Sequence, residues 1–156
     1  MTADDIPLQA FSALLHSENI ATVCRALNMY QVAASYTRLS GGNPLEPLGG
    51  EVRVVAREIL SHPPVDDPEI QAGFDHLSAL NVLTSLAQAE DAGLVAKVLE
   101  SATDERLRAT ALLAAAAVPV PDERLTGVLE AMIADEALGD RERARARAVR
   151  DKLIGS

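Results

Sequence analysis

Apolar residues recur along this chain at intervals of three and four, and no segment alternates apolar with polar in the manner of a strand. Leu8, Phe11, Leu14 and Leu15 share one face and predict a first helix over residues 7–16, with Pro7 in its first turn. Asn19 is placed to cap a second helix carrying Ile20, Val23 and Leu27. The Asn28-Met29 pair is expected to interrupt that helix, and a third runs over residues 30–39. Residues 40–50 hold two Gly pairs and two prolines, which predicts a boundary or a mobile loop. Val52, Val55, Ala56, Ile59 and Leu60 then repeat at helical spacing until His62-Pro63-Pro64 ends the run. Asp67 and Pro68 have the chemistry of a helix start, so the next helix is expected over residues 68–88. Its apolar positions, among them Ile70, Phe74, Leu77, Leu80 and Leu83, lie on several sides, which predicts a central and deeply buried element.

Residues 91–153 read as two copies of one unit. Leu94, Val95, Val98 and Leu99 lead into the turn Thr103-Asp104-Glu105, and Leu107, Ala111, Ala114 and Ala115 come after it. In the second copy Leu125, Val128, Leu129 and Met132 lead into Gly139-Asp140, and Ala146, Val149 and Leu153 come after it. With Asp104 to Ala109 opening one second helix and residues 140–149 the other, the segment resembles HEAT-type helical repeats. That resemblance implies stacked hairpins, since one two-helix unit exposes too much apolar surface to stand alone. An irregular bundle of the same helices satisfies the same pattern. The expected fold is all-α with about eight helices: an N-terminal three-helix segment (1–39), the 40–50 loop and a helical-repeat segment (51–156), together one domain.

Composition narrows the function more than the fold. The chain has 156 residues, 48% hydrophobic and only 3% aromatic, so the core is aliphatic and long enough to be substantial. The net charge of −9 argues against broad binding to phosphate backbones. Residues 139–156 run the other way, with six basic residues against three acidic ones. On that last helix Arg143, Arg147 and Arg150 share a face at i, i+4 and i+7, suited to docking an acidic surface on a partner or on a second copy. The competing reading is a solvated outer face with local pairing to Asp135 and Glu136. Cys24 is the single cysteine, and a reduced, cytoplasmic setting is expected. The acidic N-terminus lacks a signal-peptide pattern, and the longest apolar run, residues 109–121, is too short to span a bilayer.

Candidate chemistry is sparse. His16, His62 and His76 lack metal-ligand spacing, the Gly pairs precede no Lys-Ser or Lys-Thr, and the paired acids sit at helix ends. No catalytic residue, cofactor or metal is therefore expected. One further resemblance lies in residues 8–39, where Leu8, Phe11, Ala26, Leu27, Asn28, Met29, Gln31, Ala33, Ser35 and Tyr36 are similar to the helix-turn-helix of LysR-type transcriptional regulators. It implies a recognition helix from Tyr30 to Arg38, with Gln31, Ser35 and Tyr36 facing DNA. Ala34, Arg38, Gly41 and Gly42 depart from that family's usual residues, and only Arg25 and Arg38 are basic in the first 50. The first reading is thus a non-enzymatic protein-binding module, an adaptor or scaffold, and a small DNA-binding regulator is the second.

Overall fold

A computed structural model describes the backbone of residues 5–35 and 43–155, with side chains from Leu8 onward. Among these residues there are eight α-helices and no strand. The chain divides into two compact units between Ser85 and Leu86.

The first unit is built from α1 (Asp5–Leu15), α2 (Ile20–Ser35), α3 (Gly49–Leu60) and α4 (Phe74–Leu86). Phe11 and Leu15 are the inward pair of α1. The Asn19 cap forms as predicted, its side chain accepting the Thr22 N–H at 3.1 Å. The predicted break does not form: α2 runs unbroken through Asn28 and Met29. Ala26, Leu27 and Tyr30 are all buried on either side of that pair, and their packing outweighs the weak helix preference of one Asn. Two helices therefore stand where three were expected, and residues 36–39 of the third lie outside the described residues. Glycines 49 and 50 also depart from the expected loop, since they open α3 after a short 3₁₀ turn at Glu46–Leu48. The first turn of a helix tolerates glycine, and Val52, Ala56 and Leu60 anchor the later turns.

The expected long helix over 68–88 is shorter at its start. Asp67 does accept the Glu69 N–H at 2.8 Å, but this makes a local turn that does not propagate. Gly73, at φ +79, stands directly before α4, and its carbonyl accepts the Leu77 N–H at 2.9 Å. The prediction of deep burial holds: residues 75–80 are all buried, with Leu80 and Leu83 fully enclosed. Each such leucine contributes roughly 1.5–3 kcal/mol by burial. Gln31 fastens α2 to this helix, donating to Thr84 Oγ1 and accepting from Ser85 Oγ, both at 3.1 Å. Asp75 and His76 fasten the preceding loop, bonding Val65 N and the His62 carbonyl at 2.9 Å each.

The second unit holds α5 (Ala92–Ser101), α6 (Glu105–Ala117), α7 (Glu123–Ala134) and α8 (Asp140–Gly155). The helix pairs fall where the two copies were read. Asp104 and Asp122 are their N-caps, accepting from Arg106 N at 2.7 Å and Leu125 N at 2.9 Å. A capping box with Gln88 holds the buried Asp91 ahead of α5. Helix α5 packs on α6 and α7, and α8 packs on α6 and α7. Two bonds set the direction of α6 against α8: Arg108 meets Glu142, and the Ala116 carbonyl meets Lys152. Both partners advance together, so the second helices of the two hairpins run parallel.

Candidate functional site

Among the described residues, two surfaces and three polar clusters bear on what this fold could act on. The first surface belongs to α2. Arg25, Met29 and Val32 stand at i, i+4 and i+7, and that stripe faces outward because Ala26, Leu27 and Tyr30 take the inward side. Met29 is 51% exposed and Val32 55%, high values for apolar side chains of this size. With Leu8 of α1 and the Pro44-Leu45 turn they line an open groove of about 1010 Å³. Its walls are apolar except for Arg25 and Asn28.

The second surface lies on α8. Helix spacing divides this element cleanly. Glu142, Ala146, Val149 and Leu153 point inward and are buried. Arg143 and Arg150 flank them on one side, both half-buried, with Arg143 paired to Asp140 and Arg150 to Asp151 at 3.0 Å. Arg147, the third residue of the predicted docking face, is exposed and has no ion pair among the described residues. The opposite flank carries Arg141, Arg145, Ala148 and Lys152 at i, i+4, i+7 and i+11, all exposed. Lys152 donates to the Ala116 carbonyl at 2.6 Å, which identifies this flank as the one bordering α6. Sequence reasoning missed it because periodicity alone gives two equivalent flanks; the neighbouring helix decides between them.

The residues of the DNA reading divide as well. Tyr30 is buried, and burial, with the Glu46 charge adding to it, pushes its pKa up. Gln31 is committed to Thr84 and Ser85, and the Ser35 hydroxyl donates to the Gln31 carbonyl at 2.9 Å. Tyr36 and Arg38 lie outside the described residues. No helix-turn-helix bend separates Leu27 from Tyr30, since α2 is continuous there.

Of the polar clusters, Ser12, His16 and Glu51 most resemble a catalytic grouping. Ser12 Oγ and His16 Nε2 both bond the same carboxylate oxygen of Glu51, at 2.6 and 2.5 Å. A nucleophile activated by histidine would donate to the imidazole instead. This cluster therefore ties α1 to α3, and the Ser12 bond, with His16 adding to it, lowers the Glu51 pKa. The second cluster surrounds Cys24, which is fully buried. Burial raises the thiol pKa, and the Asp75 charge adds to it. A thiol so placed behaves as a small apolar side chain. In the third, Arg108 grips Glu142 through Nε at 3.0 Å and a terminal nitrogen at 2.9 Å, and also reaches the Ala102 carbonyl at 3.3 Å. It joins α6, α8 and the end of α5. No group of three metal-ligating side chains comes together among the described residues. Among those residues no helix is long and apolar enough to cross a membrane. Compared with known protein families the chain matches none, and comparison with curated proteins likewise finds no match.

Proposed function

We propose that the chain is a non-enzymatic helical module that binds another protein, and that the α2 groove is a principal contact. The observation that carries this reading is the outward row of Met29 and Val32, more than half exposed, in a groove whose other apolar lining is Leu8, Ala33, Pro44 and Leu45. Apolar surface of this kind, rimmed by polar residues, marks protein contact sites on folded chains. Its shape and spacing suit the apolar face of a partner's amphipathic helix, with Arg25 set to meet a carboxylate at the rim. Methionine adapts to varied side chains and favours such a role.

The paired hairpins of the second unit support reading it as two HEAT-like repeats, a scaffold for presenting surfaces rather than for chemistry. A cytoplasmic setting fits the single cysteine, which needs no partner thiol. Protein binding stands ahead of DNA binding because Tyr30 and Gln31 are engaged inside the first unit and the chain is acidic.

The test is retention of partners from a nuclease-treated native extract by immobilised wild-type chain, against Met29→Lys/Val32→Lys and the surface control Val54→Lys. Val54 is 62% exposed and lies on α3, away from the groove lining. We expect the double variant to lose proteins that wild type and control both keep, at unchanged helicity. Retention of the same proteins by all three chains would refute the groove, and retention seen only from a parallel extract without nuclease would refute protein binding.

A further inference from the structure

The basic flank of α8 has a second property besides charge: it borders an exposed apolar strip on a parallel helix. On α6, Leu113 is 62% exposed, and Ala109 and Ala116 are its neighbours at i−4 and i+3. The two helices pack side by side, and Lys152 bonds the Ala116 carbonyl, so the C-terminal end of the α6 strip lies beside the stripe of Arg141, Arg145, Ala148 and Lys152. Small residues line its floor at Ala109, Ala116 and Ala148, and cations stand along one edge. Arg141 and Arg145 make no hydrogen bond or ion pair among the described residues, and the same is true of the Arg106 side chain, about one turn before Ala109. The nearby carboxylates are already occupied: Asp140 holds Arg143, Glu142 holds Arg108 and Asp151 holds Arg150. Asp104 and Glu105 are further acids at the start of α6.

Arginines without an ion pair are unexpected on a chain in which 23 acidic residues outnumber 14 lysines and arginines. Arg141 and Arg145 stand with Lys152, which holds the Ala116 carbonyl, along an edge about 16 Å long with an apolar residue across from it, and this arrangement fits one type of ligand. We propose that the α6–α8 face binds an acidic amphipathic helix of a partner protein. Carboxylates on one side of that helix meet Arg141, Arg145 and Lys152, and its apolar side rests on Leu113 over the alanine floor. About three turns of helix match the length of the edge. The alanines let the ligand backbone approach closely, and arginine heads donate bidentately to carboxylates. Nucleic acid is a poorer match, since phosphates gain nothing from Leu113 and the chain as a whole is acidic. This surface belongs to the second unit and is independent of the α2 groove, so either can fail without the other.

The experiment is fluorescence anisotropy on the full-length chain with a labelled helical peptide of about fifteen residues, carrying Glu on one face and Leu beside it. We expect saturable binding below about 100 µM. The affinity should fall about tenfold or more for Arg141→Gln/Arg145→Gln, and severalfold for Leu113→Ser. It should also fall between about 25 and 300 mM salt, as expected for exposed charges. Arg147→Gln, on the other flank, should leave binding unchanged. Unchanged circular dichroism keeps the variants comparable, and the neutral Gln replacements avoid the repulsion that Glu would add. The proposal is overturned if the wild-type chain does not saturate or if a Gln-for-Glu peptide binds equally well. It is also overturned if Arg147→Gln weakens binding as much as the double variant, or if a single-stranded oligonucleotide or a phosphatidylserine vesicle binds as tightly as the peptide. Loss of this binding with intact retention through Met29 and Val32 would remove the α6–α8 face alone.

Discussion

Replacing Arg108 by Met should be the most damaging single polar-to-apolar change in the second unit. Met keeps most of the apolar stem and removes the charged head. Glu142, whose side chain is 9% exposed, then loses both of its short bonds, and the Ala102 carbonyl loses a third at 3.3 Å. Breaking a buried pair from one side costs about 3–5 kcal/mol, because the remaining charge is left without compensation. Arg108 is itself 17% exposed, so water can reach Glu142 once the guanidinium is gone, and the lower end, about 3 kcal/mol, is the expectation. For a domain of this size that corresponds to a midpoint lower by about 6–12 °C. Glu142→Leu should cost a similar amount, by stranding the guanidinium. The double variant Arg108→Met/Glu142→Leu removes both charges and should lie within about 1–2 kcal/mol of wild type, since an apolar pair can replace a buried ion pair at little cost. Urea titration of all four chains, monitored by helicity, gives the coupling energy directly. If the single changes each cost under about 1 kcal/mol, or if the double change costs their sum, the pair does not hold α6 to α8 and the parallel register loses its main support.

Three further outcomes are expected in the first unit. Glu51 has a lowered pKa in the fold, so its contribution is present above the unfolded value of 4.5 and is lost as pH falls through the folded value; the stability gap between wild type and Glu51→Gln should close on acidification, and a gap that widens would contradict the assignment. Cys24 should react with a thiol reagent only at the rate of unfolding at neutral pH, and labelling as fast as a free thiol would show the core more open than described. Gly73→Ala should cost about 1–2 kcal/mol in a urea titration although a Cβ would meet no atom within 4 Å, because the strain is in the backbone at φ +79; Gly73→Asn should cost less.

The features readable from the sequence were those that depend on a few adjacent residues. Asn19, Asp104 and Asp122 cap their helices because capping needs a side chain and an N–H two or three positions on. The burial of α4 was readable from an apolar pattern that wraps around the helix. The continuity of α2 was not, because Asn28-Met29 is weak by local preference and is carried through by Leu27 and Tyr30 packing into the unit. The expected helix start at residue 68 failed for the opposite reason: Asp67-Pro68 starts a turn well, but nothing in residues 68–72 is buried enough to hold a helix there.

The two surfaces show the same limit from the side of function. Arginines at every second position of α8 put cations on all its outward sides, and spacing alone treats Arg143, Arg147 and Arg150 as equal to Arg141, Arg145 and Lys152. Pairing breaks that equivalence. Asp140 and Asp151 neutralise two members of the first set within their own helix, contacts that span three residues and one. The second set gains its meaning from Ala116, thirty-six positions away from Lys152. A tertiary register is thus needed before a charge pattern becomes a binding surface. The same holds for Met29, read from sequence as a helix break and found as an exposed apolar side chain on an unbroken helix. The α8 helix was predictable from its own residues and the continuity of α2 was not, but in both places the face offered to a partner was set by neighbouring elements.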